Sequence, residues 1–219
     1  MAVKQMFEGV YSIDGKLATA NLARGKKAYT EELVTIDDTE YRLWNPYRSK
    51  LAASIMNGLK NFAFRKGSSV LYLGAATGTT SSHVSDIVGA TGRVYAVEIS
   101  ERCMRTLVEV CEARQNMVPI LADARDVERY ADVVEECDII YQDVSVRDQA
   151  EMLLKNSRLL KKGGYAYFAI KSQSIDISRD PQDIYKEELA MLKGTFSVLE
   201  TMSLEPYDSM HLFVVLKKL

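Results

Sequence analysis

Residues 69–98 read SVLYLGAATGTTSSHVSDIVGATGRVYAVE. An apolar run at 70–73 stops at Gly74, a loop of small residues follows, and Val84, Ile87 and Val88 then recur at helical spacing until Gly89 and Gly92 end the pattern. A second apolar run, 94–97, ends in Glu98. Strand, glycine-punctuated loop, helix and strand in that order form the first unit of a doubly wound α/β sheet. Small residues at 74, 75, 76 and 78 let the backbone come close to a ligand. An acid just past the second strand is placed to accept hydrogen bonds from both hydroxyls of a ribose. The expected ligand therefore contains a nucleoside.

The loop narrows the choice of nucleoside. A dinucleotide site uses G-x-G-x-x-G, with glycines for close contact to a pyrophosphate on the helix amino end. Here the loop is G-A-A-T-G-T, without the middle glycine, which disfavours an NAD-dependent dehydrogenase. A P-loop needs Gly-Lys-Ser/Thr, whereas Gly78 is followed by Thr79 and Thr80. A ribose held by an acid with no phosphate chain to cradle fits S-adenosylmethionine. On the loop alone, another nucleotide or an unliganded α/β turn stays open.

The bulk properties bound the rest. A chain of 219 residues can bury one α/β core with a small appendage. Its net charge of −2 lacks the basic excess with which a protein binds long RNA unaided. Cys103, Cys111 and Cys137 have no C-x-x-C spacing and read as thiols of a reducing compartment. No segment approaches the ~20 apolar residues of a membrane span, and the start has no apolar signal core. The expected location is the cytoplasm.

Residues 1–45 differ from the rest of the chain. Short β-like runs at 7–13, 17–21 and 32–36, with Asp14-Gly15 as a hairpin signal, predict a small antiparallel amino-terminal sheet. Residues 40–50, EYRLWNPYRSK, read as a connector to a helix at 51–59, with Trp44 pinning the appendage to the main domain, 46–219. Asp37-Asp38 and Glu135-Glu136 read as solvated acidic faces, and Tyr41, Trp44 and Tyr47 as core or domain-joining aromatics. From residue 69 onward strands alternate with helices. Helices are expected at 101–114, near 127–135, at 149–160 with a glycine cap at Gly163-Gly164, and at 184–192. Strands are expected at 118–121, 138–141 and 165–170, with a closing pair at 196–204 and 211–216. The pattern is that of a Rossmann-like seven-stranded α/β sheet whose last strand runs antiparallel, the class I S-adenosylmethionine-dependent methyltransferase fold. Glu98, Asp123, Asp143 and Lys171 each directly follow an apolar run, which gathers them on the sheet edge where ligands bind. His83 reads as a helix-face or core histidine.

Longer stretches carry a more specific likeness. YRLWNPYRSKLAASIMNGL, VLYLGAATGTTSSHVSD, PILADAR, YQDV, AIKSQSID and LEPY followed by His211 resemble the fibrillarin family in its compact form, over essentially the whole chain. The resemblance implies an S-adenosylmethionine-dependent RNA 2′-O-methyltransferase of box C/D guide ribonucleoproteins. It implies as partners a Nop-domain scaffold protein, a kink-turn-binding ribosomal-type protein, and a guide RNA that pairs with target rRNA or tRNA. It implies cofactor contacts from Gly74, Thr79 and Thr80 in the loop, Glu98 with Ile99 at the ribose, Asp123 with Ala124 near the adenine, and the segment Asp143, Val144, Ser145 and Val146. It also implies a Lys-Asp-Lys-His set falling on Lys50, Asp143, Lys171 and His211; because the sulfonium already activates the methyl carbon, the chemistry requires no metal.

The chemistry asks for such groups independently. A sugar hydroxyl is scarcely ionised at neutral pH and must lose its proton as the new bond forms. A lysine serves as base only where desolvation or a neighbouring cation lowers its pKa, and Asp143 opposes that change. Lys171 is therefore the expected base with Asp143 orienting it or taking the proton itself, while Lys50 and His211 orient the ribose and its neighbouring phosphate. Two other readings compete. A small-molecule O-methyltransferase of the Mg²⁺-dependent kind would share the sheet, and a catalytically idle subunit would serve the ribonucleoprotein only as a structural part.

Overall fold

The computed structural model describes residues 2–219. The amino-terminal sheet holds β1 (Val3–Phe7), β2 (Val10–Ile13), β3 (Lys16–Ala20), β4 (Leu33–Ile36) and β5 (Thr39–Leu43), in the order β1-β2-β3-β5-β4 and antiparallel throughout. The run expected as one strand at 7–13 is two strands, because Gly9 turns the chain at φ 75° and pairs Phe7 with Val10. Asp14-Gly15 closes the next hairpin as expected, with φ of 47° and 83° between the partners Ile13 and Lys16. Asp37-Asp38 does the same between Ile36 and Thr39, with φ of 46° and 63°. That pair is solvent-exposed, as expected, and also makes the hairpin turn, since aspartate tolerates the left-handed region better than most side chains. The expected connector at 40–50 accordingly begins with strand β5.

Trp44, buried, stacks on the His83 ring at a centroid distance of 4.6 Å and an interplanar angle of 14°. It thereby ties the first sheet to the helix that comes after the glycine loop. Next along the chain is α1 (Lys50–Met56), capped by the Ser49 side chain and ending earlier than expected.

The second sheet is built from β6 (Ser69–Leu73), α2 (Thr79–Val88), β7 (Arg93–Glu98), α3 (Glu101–Glu112), β8 (Met117–Leu121), β9 (Cys137–Gln142), α4 (Gln149–Asn156) and β10 (Leu160–Lys171). It is completed by α5 (Ser172–Ile175), α6 (Pro181–Met191), β11 (Phe196–Ser203) and β12 (His211–Lys218). Its order, β11-β12-β10-β9-β6-β7-β8, has seven strands, and β12 lies antiparallel to both neighbours. The helix expected near 127–135 is a single 3₁₀ turn, Val127–Arg129. Gly163-Gly164 does not cap a helix. It lies inside β10, where the register against β9 slips between Leu160 and Tyr165, a bulge that glycine accommodates.

Side chains alternate between the faces of this sheet with the strand period of two. Val70, Tyr72, Val94 and Ile139 point into one buried cluster, shared with Val10, Leu17 and Trp44 of the first sheet. Leu71, Leu73, Tyr95 and Ile140 point into the other. No helix among the described residues is long and apolar enough to cross a membrane.

Candidate active site

Chain direction reverses its lateral course between β6 and β9, and the carboxyl ends of these neighbours open a crevice there. Gly74 ends β6 at φ 85°, and a Cβ on it would lie 2.7 Å from the backbone oxygen of Asp143 and 2.9 Å from Val144 Cγ1. Only glycine allows the two strand ends to approach this closely. Across the loop, Glu98 is fixed by its neighbours' backbone. The Ala76 N–H donates to Oε2 and the Ser100 N–H donates to Oε1, both at 2.8 Å. Each carboxylate oxygen keeps a lone pair for a further donor.

Glu98 and Gly74 form part of the wall of a cavity of about 350 Å³. Ile99, Asp123 and Ala124 line a second side, and the segment Asp143, Val144, Ser145 and Val146 a third. Ile99, 60% exposed, presents an apolar face to the cavity mouth. The Asp123 carboxylate is gripped by Arg125, whose Nη2 donates at 2.6 Å and whose backbone N–H donates at 2.9 Å, and these bonds hold its pKa below the usual carboxylate range. Thr79 and Thr80 do not belong to this wall. Thr80 is buried, and its Oγ1 donates to Ser49 Oγ at 3.0 Å, joining α2 to the start of α1. The cavity thus offers a ribose acceptor and apolar surface, and these residues fit the adenosyl group of S-adenosylmethionine.

At the rim the titratable residues form a line. Lys171 Nζ lies 2.7 Å from Asp143 Oδ1 and also donates to the Asp143 backbone oxygen at 3.2 Å and to Ser145 Oγ at 3.1 Å. Lys50 Nζ lies 3.2 Å from the same Oδ1 and donates to Oδ2 at 3.4 Å. The same ammonium is 3.3 Å from Asp208 Oδ2, and Asp208 Oδ1 is 2.8 Å from His211 Nδ1. Lys50, Asp143, Lys171 and His211 therefore come together from α1 and from the ends of β9, β10 and β12. Arg42 and Arg48, close to Lys50 in sequence, are engaged elsewhere, with Glu31 and Asp86 and with Thr30 respectively.

Charge sets the protonation of this line. Burial pushes the Asp143 carboxyl up, but the ammonium groups of Lys171 and Lys50 outweigh it and hold the pKa below its ordinary value. Burial pushes the Lys50 ammonium down, and Asp143 with Asp208 outweighs that, leaving it raised. Asp208 likewise sits below its ordinary value: burial raises it, but the bond from His211 and the charge of Lys50 prevail. Asp143 is a carboxylate between two cations.

Two participants are not apparent in the sequence. Asp208 lies in the loop before β12, where it ends no apolar run, and its three-residue spacing from His211 is the only available signal. Gln149, fully buried, accepts from the Lys171 N–H at 2.9 Å and donates to the Lys171 oxygen at 3.1 Å, fixing the backbone that carries the lysine. No group of three or more His, Cys, Asp and Glu side chains among the described residues is arranged to hold a metal ion.

A nucleoside crevice at the turning point of a parallel sheet, with an acid on its wall and a loop that lacks the middle glycine of G-x-G-x-x-G, separates methyltransferases from dinucleotide-binding enzymes of similar architecture. The chain has the class I S-adenosylmethionine-dependent methyltransferase fold. The family model for fibrillarin matches residues 1–218. The fibrillarin-like rRNA/tRNA 2′-O-methyltransferase of Pyrococcus furiosus is 47% identical, over 98% of this chain and 97% of its own length. The structure of Aeropyrum pernix fibrillarin with natively bound S-adenosyl-L-methionine superposes with a TM-score of 0.92 at 41% identity, covering 99% of this chain and 98% of that one. Fibrillarin in a complex with Nop5p superposes with a TM-score of 0.90 at 37% identity, covering 99% of this chain and 100% of that one. The chain belongs to the fibrillarin family.

Proposed function

We propose that this chain is an RNA 2′-O-methyltransferase, the catalytic subunit of a box C/D guide ribonucleoprotein. It methylates the ribose 2′-hydroxyl of rRNA or tRNA at positions chosen by guide pairing. The observation that carries the reading is the convergence of Lys171 and Asp143, 2.7 Å apart, on the rim of the adenosyl-sized cavity. The family relationship supplies the substrate class, and the Nop5p-bound relative supplies the partner: a Nop-domain scaffold. A kink-turn-binding protein and guide RNA complete the particle, in keeping with a net charge of −2 that gives this chain little hold on RNA alone. Three free cysteines suit the reducing cytoplasm.

Bound S-adenosylmethionine supplies a methyl group made electrophilic by its sulfonium. Of the residues that line the cavity, Glu98 would accept the ribose hydroxyls, Ile99 and Val146 would offer apolar surface to the base, and Gly74 leaves room for the backbone beside the ligand. The target hydroxyl becomes strongly acidic as its oxygen gains the new bond, so a weak base suffices. Lys171 Nζ donates to two acceptors, the Asp143 backbone oxygen and Ser145 Oγ, and faces the Asp143 carboxylate as an ion pair. Lys171 first passes a proton to Asp143, whose Oδ1 lies 2.7 Å away, and its freed lone pair then takes the hydroxyl proton as the new carbon–oxygen bond forms, leaving the lysine an ammonium and Asp143 the acid. Lys50, kept cationic by two carboxylates, holds the neighbouring phosphate.

The test is reconstitution with a Nop-domain scaffold, a kink-turn-binding protein, guide and matched target, using labelled methyl donor. Label is expected at the guide-specified nucleotide and little label without the guide. Robust site-selective methylation by the chain alone would contradict the proposal.

A further inference from the structure

His211 and Lys171 are register partners across β12 and β10, so both side chains start from the same rung of the sheet. His211 follows Met210, whose φ of 61° puts a non-glycine residue in the left-handed region, and the Met210 oxygen is held by Ser172 Oγ at 3.1 Å. This sharp entry into β12 turns the ring back over its own loop, where Asp208 lies 2.8 Å from Nδ1. Asp208 is itself anchored, its N–H donating to the Leu204 oxygen at 3.1 Å and its second oxygen lying 3.3 Å from Lys50 Nζ. The groups facing the imidazole line are thus Asp208 from the loop, Lys50 from α1, and Lys171 from β10.

A carboxylate can only accept, so the ring nitrogen it faces must carry the proton. We infer that Asp208 is a positioning residue that fixes the Nδ1–H of His211 toward its own carboxylate, so that Nε2 is the nitrogen left to receive a hydroxyl donor of the RNA rather than a phosphate. The inference rests on the methyltransferase reading above and assigns its two outer groups different tasks. A phosphate diester has no proton to donate and so matches Lys50, while a ribose hydroxyl does have one and matches Nε2. Sharing one carboxylate sets the spacing between the two recognition points. The tautomer of a histidine is fixed by the bond its other nitrogen makes, and such supporting carboxylates matter for activity without touching substrate.

The experiment has a part that needs no activity. Nitrogen-15 NMR of the free protein above neutral pH should show His211 protonated at Nδ1, and Asp208→Asn should lose that preference. An Nε2–H tautomer, or a doubly protonated ring at the assay pH, in the unmutated protein overturns the inference. In the guided particle, Asp208→Asn should lower kcat about 10–100-fold. Affinity for S-adenosylmethionine and thermal stability should stay close to the parent, and Asp208→Glu should recover most of the rate. An equal loss in Asp208→Glu, or an unchanged kcat in Asp208→Asn, also overturns it. Failure of the unmutated particle to methylate would sink the parent reading instead, leaving the tautomer measurement to stand by itself.

Discussion

The guanidinium of Arg42, on β5, lies 2.7 Å from the carboxylate of Asp86, on α2, and neither side chain is exposed. The same guanidinium bonds Glu31 and Ser82, while Arg114 lies 3.3 Å from Asp86. A buried ion network thus joins the first sheet to the helix that begins in the cofactor loop. Burying such charges is costly, and removing one partner leaves the others uncompensated.

Arg42→Met should therefore destabilise the fold by about 3–5 kcal/mol, read as a shift in the urea unfolding midpoint. A change below about 1 kcal/mol, the scale of an exposed pair, would show that the network is solvated.

His83 sits in the same interface. Its Nδ1 is 2.8 Å from Thr19 Oγ1, its Nε2 is 2.7 Å from the Tyr29 hydroxyl, and Trp44 covers its face. Burial, helped by the positive charges of Arg42 and Arg114, pushes its pKa well below the ordinary 6.5. The unfolded chain consequently binds the proton first. Stability from this group is complete above pH 6.5 and declines as pH falls below it, with a limiting slope of about 1.4 kcal/mol per pH unit. Denaturant melts between about pH 7.5 and 5 should reveal the decline, and His83→Gln should flatten it. Parallel curves for the two proteins would assign the pH dependence to other groups.

Glu98 tests the cofactor side. Glu98→Ala removes the ribose acceptor together with the anchor for the Ala76 and Ser100 amides. Affinity for S-adenosylmethionine should fall about 10–100-fold, the equivalent of one charge-assisted hydrogen bond. Calorimetry would show it, and wild-type affinity in that variant would move the adenosyl site elsewhere.

Gly74→Ala should be equally damaging by a different route. The new Cβ would stand 2.7 Å from the Asp143 oxygen at a backbone φ of 85°, and both the contact and the conformation oppose it. A loss of thermal stability together with weakened cofactor binding is expected. A stabilised variant would mean that the crevice opens easily between β6 and β9.

How legible the fold and site are in the sequence depends on the kind of signal. Glycine-punctuated alternation from residue 69 onward exposes the second sheet, because a buried parallel strand is a short apolar run and its ligand edge is wherever that run ends. Glu98, Asp143 and Lys171 are visible for that reason. The first sheet is harder: Phe7 and Val10 belong to different strands separated only by Glu8-Gly9, and the Asp37-Asp38 turn looks like ordinary surface charge. Gly163-Gly164 carries a helix-stop signal that tertiary pairing overrides, since β9 recruits the segment into β10. Thr80, read from the sequence as a loop residue, is in the first turn of α2, and its hydroxyl donates to Ser49 inside the fold. Asp208 and Gln149 give no pattern of their own, and their partners are distant enough in the chain, or irregular enough in conformation, that only the folded arrangement brings them into view.

Lys171→Ala in the guided particle, assayed in a single turnover with labelled methyl donor, isolates the contribution of the Lys171–Asp143 pair. Transfer to the target ribose should fall by about 10²–10⁴-fold, the usual contribution of a positioned proton acceptor, while affinity for S-adenosylmethionine is nearly unchanged. Methylation at close to the parent rate would contradict the assignment of Lys171 and Asp143 as the groups that carry the proton.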